Sequence, residues 1–257
     1  MKRTRSLVGR LLPAVLSIAI LWPVAGLAQS SEVNPEAIEL LRRATGYVAG
    51  LKEFRLETAV TIESVTTAGQ KLQFDARVRT WVKRPNEFRA ERVGEQLSQV
   101  LFYDGKSLTM SMVDEKYYAT VAAPPTLNAM LDFARDKLGV IAPGTDLIYS
   151  NAFERLTEGL TAASFVGEAM ISGVPCVHLA LRNPEVDWQI WIQEGGKPLP
   201  RKFLVTSKRM AESPQFSVTI SNWDVAPKLD DTVFRFVPPK GWQKIDFLPV
   251  ATAVANK

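Results

Sequence analysis

A search for chemistry in this chain begins with its one histidine and one cysteine, His178 and Cys176, two residues apart. A hydrolytic or acyl-transfer site needs a nucleophile held beside a base, and histidine is the usual base. His178 is the sole candidate, and it sits in Val174-Pro175-Cys176-Val177-His178-Leu179, an apolar run with the rhythm of a strand. On that strand His178 shares a face with Cys176 and Ala180 and stands opposite Val177, Leu179 and Leu181. This spacing gives His178 a structural or surface role and makes Cys176 a buried, inert thiol. One His and one Cys do not make a closed metal-ligand set, and no spaced acidic cluster supplements them. No G-x-S-x-G, H-E-x-x-H, phosphate-loop or dinucleotide fingerprint occurs. Asp230-Asp231 precedes an expected short terminal strand and reads as a cap or a solvent-facing pair. Trp188 and Trp191 would point to opposite faces of one strand, so they do not form a single stacking platform for bases or sugars. The expectation is a protein without catalytic residues, metal or cofactor, and not an enzyme.

Export narrows the possibilities further. Lys2, Arg3, Arg5 and Arg10 precede the apolar run Leu11 to Leu21, and Gly26-Leu27-Ala28 supplies small residues, so residues 1–28 read as a cleaved signal peptide. A spanning helix wants about 20 apolar residues, and here Pro13 and Pro23 interrupt a shorter stretch. No Cys follows the small residues, which excludes N-terminal lipidation. Removal of the four cations brings the formal charge from +4 to zero. A neutral chain without a Lys/Arg block gives no electrostatic reason to bind nucleic acid or an anionic membrane. A single Cys forms no intrachain disulfide, so stability must come from packing. Residues 29–246 are expected to form one domain, acting as a monomer, with 247–257 a flexible tail.

The elements that would position a site can be read from hydrophobic periodicity. Asn34-Pro35-Glu36 opens a helix whose stripe is Ile38, Leu41, Ala44 or Thr45, Val48 and Leu51. From Phe54 the period becomes two, with strands at Phe54–Ile62, Leu72–Val82, Phe88–Val93, Leu97–Tyr103 and Leu108–Met112 forming an antiparallel meander. Asp104-Gly105-Lys106 is a hairpin signal between the last two. Thr126 caps a second helix carrying Leu127, Met130, Leu131, Ala134 and Leu138, and Gly139 ends it. One or two short helices are expected in Val140 to Gly159. Strands resume at 163–171, 177–181, 187–193, 201–206 and 216–223, as in a large antiparallel sheet or barrel.

Three motifs carry a resemblance. Trp81-Val82-Lys83-Arg84-Pro85-Asn86, then Asp104-Gly105-Lys106-Ser107-Leu108, then Phe234-Arg235-Phe236-Val237-Pro238-Pro239-Lys240-Gly241 resemble, in order and spacing, the periplasmic lipoprotein carrier LolA and its relatives. Val186-Asp187-Trp188-Gln189-Ile190-Trp191 and Pro198-Leu199-Pro200-Arg201-Lys202 bring the chain closer to a family of predicted periplasmic proteins of that fold. Residues 124–181 are unmatched. The resemblance implies an α+β, mainly antiparallel fold: an unclosed, strongly curved β-barrel whose concave apolar face is covered by helices and accepts acyl chains. It implies a periplasmic, non-enzymatic binding or carrier protein for a hydrophobic or acylated ligand. The alternative is an envelope sensor or scaffold acting through protein–protein interaction, with an envelope membrane protein as partner. It further implies that Arg84 holds a helical lid closed. Phe74, Val78, Val82, Arg84, Met110, Met112 and Leu131 are the expected cavity-lining residues.

Overall fold

A computed structural model describes residues 32–140 and 142–247; the expected signal peptide and residues 248–257 of the expected tail lie outside the described residues. Helix α1 (Pro35–Gly50) starts where the cap predicts, with the Asn34 side-chain oxygen accepting from the amides of Glu36 and Ala37 at 2.9 and 3.0 Å. Its buried face is Ala37, Leu40, Leu41, Ala44, Thr45 and Val48. That stripe is rotated slightly from the expected one: Ile38 is half-buried, and Leu51 lies beyond the last turn as the C-cap. Thr45 is tolerated in the buried face because its hydroxyl donates to the Leu41 carbonyl at 2.9 Å.

The chain then folds into β1 (Glu53–Val65), β2 (Lys71–Lys83), β3 (Glu87–Gly94), β4 (Gln99–Tyr103), β5 (Ser107–Met112) and β6 (Tyr117–Ala122). The last strand has no apolar alternation to announce it, since Ala119 is its one fully buried residue. Helix α2 (Leu127–Leu138) is capped by Thr126, which accepts from the Ala129 amide at 3.3 Å, and stops at Gly139 with φ +67°. A 3₁₀ turn (Thr145–Leu147) and α3 (Ala152–Thr157) follow, then β7 (Ala162–Ile171), β8 (Val174–Arg182), β9 (Val186–Gln193), β10 (Pro200–Ser207) and β11 (Gln215–Asp224). Where a terminal strand was expected after Asp230-Asp231, the chain instead makes a 3₁₀ turn, Asp231–Phe234. Asp230 caps it by accepting from the Thr232 amide at 2.9 Å. A three-residue strand, β12 (Gln243–Ile245), closes the described chain.

The twelve strands of the described residues belong to one sheet, in the order β12-β6-β5-β4-β3-β2-β1-β11-β10-β9-β8-β7. Two antiparallel meanders meet where β1 pairs with β11, and only β12 joins a neighbouring strand in parallel, against β6. β7 and β12 are the two ends and do not pair with each other, so the curved sheet is unclosed. Inward-facing side chains from both meanders, among them Phe54, Phe88, Ile190 and Val218, form one core with Leu41 of α1, Met130 of α2 and Leu156 of α3. Burial of this kind stabilises by about 25 cal/mol per Å² of apolar surface, which is why the helices lie on the concave face.

Candidate ligand-binding cavity

The core is not fully packed. Between the concave face and the segment that follows α2 lies a cavity of about 410 Å³. Its floor comes from both meanders: Leu56, Thr58, Val60 and Ile62 of β1, Val78 and Thr80 of β2, Leu101 of β4, Met110 of β5 and Val218 and Ile220 of β11. Leu138, Gly139, Val140, the stretch from Ala142 to Thr145, Leu147 and Ile148 supply the roof. A second space of about 240 Å³ adjoins it, sharing Phe88, Leu101, Val140 and Pro143, and reaches Leu131 and Ala134 of α2. The lining is aliphatic and aromatic with a few polar groups, the character of a site for an apolar ligand.

The expected lining residues divide accordingly. Val78 and Met110 line the larger cavity and Leu131 the smaller. Val82 faces the same side but is fully buried in the packed core, opposite Phe88 of β3. Phe74, opposite Ile62, and Met112, opposite Gln99, are half-buried on the concave face just outside both linings. Arg84 does not line either space. It lies beyond the end of β2 and donates from Nη2 to the Ile148 carbonyl at 2.6 Å, on the roof segment. Its Nε is buried without a partner, and burial pushes its pKa below the ordinary guanidinium value. Of the roof, Leu138 is expected only as part of the α2 stripe, and residues 140, 142–145, 147 and 148 were not expected to line a cavity because this upper wall has no periodicity of its own. Arg92 was missed too, although Phe88, Ala90 and Arg92 alternate on one face of β3.

The three motifs that carried the resemblance converge. Lys83 reaches Asp231 at 2.5 Å and the Leu229 carbonyl at 3.3 Å, which ties the end of β2 to the C-terminal segment. Phe236 then packs on the outer face against Phe102 and Tyr118, with ring centroids 5.4 and 5.0 Å apart. Gly105, at φ +87°, backs onto Asn86 so closely that an added Cβ would overlap the Asn86 side-chain amide. Only glycine fits there. A model of the predicted periplasmic protein family DUF2092 matches residues 37–248, from α1 through β12. The chain belongs to that family. The periplasmic location read from the N-terminal residues agrees with this DUF2092 membership.

The DUF2092 chain is also similar to several solved structures. LprF from Mycobacterium bovis shares 14% identity over 82% of this chain and 99% of that one, with a TM-score of 0.45. A LolA superfamily protein from Nitrosomonas europaea shares 12% over 78% and 97%, with a TM-score of 0.39. MucB in complex with MucA from Pseudomonas aeruginosa shares 11% over 79% of this chain and 61% of that one, with a TM-score of 0.45. No curated protein matches the chain.

The residues with which a search for chemistry begins lie on the outer face. His178 stacks on Trp191, with centroids 4.0 Å apart and planes 12° apart, and its Nε2 is 2.9 Å from Gln189 Oε1. Burial holds its pKa below the usual imidazole value. Cys176 is fully buried, and burial pushes its thiol pKa up. Trp188, on the opposite face, packs against Phe203. Both tryptophans are therefore buried, on two different sides of the sheet. Among the described residues no group of three or more His, Cys, Asp and Glu side chains is placed to hold a metal ion.

Proposed function

We propose that this protein is a non-enzymatic periplasmic carrier that shelters the chain of an acylated or lipid-like ligand between the sheet and the roof after α2. The observation that carries the reading is the cavity of about 410 Å³, apolar on its floor and roofed by residues 138–140, 142–145, 147 and 148. Its size falls within the range of small-molecule sites, about 300–1,000 Å³. Each methylene removed from water contributes about 0.8 kcal/mol, so a chain of about twelve carbons contributes ~10 kcal/mol before ordering costs. A ligand held that firmly is released on a useful timescale only if the roof moves. The Arg84 contact to Ile148 supports a latch between the end of β2 and that roof.

Native mass spectrometry of protein purified from a periplasmic extract tests the proposal. A discrete adduct that organic solvent removes is the expected result. Protein without an adduct, which also fails to bind a fluorescent fatty acid, would sink the carrier reading. That outcome would favour the role in protein–protein interaction instead.

A further inference from the structure

Among the described residues that line the larger cavity, Arg92 alone carries a charge. It lies on the concave face of β3, opposite Val78 of β2 and opposite Gln99 of β4, at the last position paired with β4 before the turn of residues 95–98. Two other arginines near the interior do not line this cavity. Arg84 donates to the Ile148 carbonyl, and Arg135, beside the smaller cavity, is bonded to Asp132 and Asp136 at 3.0 and 2.8 Å. Among the described residues no carboxylate lies within ion-pair distance of Arg92, and its hydrogen bond is from Nη1 to the Leu97 carbonyl at 3.4 Å. That contact occupies one of five N–H donors. A half-buried cation at the wall of an apolar cavity, without a carboxylate partner, is placed to form a charge-assisted pair with an anion brought by the ligand.

The cavity is also polarised end to end. Phe88, Leu101 and Ile148 at one end are buried, whereas Arg92, Leu97 and Gln99 at the other are half-buried. We infer that the ligand is an amphiphile with an oxyanion head, a carboxylate or a phosphate, whose chain runs toward Ile148 while Arg92, assisted by Gln99, receives the head. The inference rests on the carrier reading and adds the chemical class of the ligand. A planar guanidinium pairs with either anion through two parallel N–H bonds, which an uncharged glycerol or alcohol head does not reproduce.

Competition against the neutral dye N-phenyl-1-naphthylamine decides the matter, with palmitate, palmitoyl lysophosphatidic acid and monopalmitoylglycerol as competitors for the wild type, Arg92→Gln and Arg92→Lys. The wild type should prefer at least one anionic competitor over monopalmitoylglycerol by roughly tenfold or more, the scale of a charge-assisted hydrogen bond. Whether palmitate or the lysophosphatidic acid competes better identifies the head as carboxylate or phosphate. Arg92→Gln should bring the preference close to one, and Arg92→Lys should keep part of it. A wild type that binds all three alike, or an Arg92→Gln variant that keeps the full preference, overturns the inference while dye binding leaves the carrier reading standing. Absence of binding by the dye and by every amphiphile would overturn the carrier reading itself.

Discussion

Arg84→Met offers the sharpest test of a moving roof. The wild-type contact is a guanidinium N–H to the Ile148 carbonyl at 2.6 Å, and hydrogen bonds to charged groups contribute about 1.5–3 kcal/mol. Against that gain stands the cost of burying the guanidinium, visible in its downward pKa shift and its partnerless Nε. Methionine fills a similar length without charge, so the substitution removes the bond and the burial cost together and leaves the Ile148 carbonyl unpaired. The closed roof should lose about 1–2 kcal/mol, which corresponds to a factor of about 5–30 in an equilibrium. The far side of the roof stays anchored, because Asn128 still donates to Ser150 at 2.8 Å and Tyr149 to Asp132 at 2.9 Å. Release of a fluorescent fatty acid into excess acceptor vesicles, followed by stopped flow, should therefore accelerate by about 5–30-fold. Amide hydrogens of residues 145–151 should exchange faster in parallel. Release within twofold of wild type, with unchanged exchange, would show that Arg84 does not hold the roof.

Val78→Trp projects an indole into the 410 Å³ space and should cut fatty-acid uptake at least about tenfold, with stability changed by less than ~1 kcal/mol in urea unfolding; a loss above ~2 kcal/mol would mean that the space is filled in solution. Gly105→Ala should destabilise by about 1–3 kcal/mol, since φ +87° and the Asn86 amide both oppose a Cβ, and a midpoint equal to wild type in the same unfolding assay would contradict this. Burial raises the Tyr103 and Tyr149 phenols from 10.0 to about 12. A raised folded-state value means that the stabilisation is complete below pH 10 and is lost as pH climbs from about 10 through about 12. Ultraviolet titration of the folded protein should show a late phenolate step that shrinks in Tyr103→Phe and again in Tyr149→Phe; an unchanged late step would refute the assignment.

Much of the fold was legible because its signals are local. Asn34 and Thr126 announce helix starts through side chains that accept backbone amides a few residues on, and both caps form. Alternation from Phe54 to Ile62 and from Leu72 to Val82 gave the two longest strands and their inward faces. β6 and β12 were missed for the opposite reason. Tyr117–Ala122 buries one small residue, and Gln243–Ile245 is exposed throughout, so each is a strand by virtue of its neighbour rather than its own pattern. The pairing of β1 with β11 lies beyond periodicity as well, since it joins segments more than 150 residues apart. The cavity was half legible on that account: parity places Val78 and Met110 on the concave face, but not the roof that faces them.

The two interior arginines of the β2–β3 hairpin further divide the labour of the site in a way that can be measured. Arg84 lies six residues past Val78, the partner of Arg92, which at about 3.3 Å per residue sets the two positions roughly 20 Å apart along the sheet. Each donates to one backbone carbonyl, Arg84 to Ile148 at 2.6 Å and Arg92 to Leu97 at 3.4 Å, but of the two only Arg92 lines the cavity. Groups more than about 10 Å apart with no shared partner contribute additively within ~0.5 kcal/mol. In a double-mutant cycle of Arg84→Met and Arg92→Gln, release of palmitate should therefore be faster by the product of the two single effects. Arg84→Met alone should leave the ratio of anionic to neutral affinity where it was. A coupling energy well above 0.5 kcal/mol would mean that closing the roof also moves Arg92, so that head-group capture and roof closure are one event rather than two.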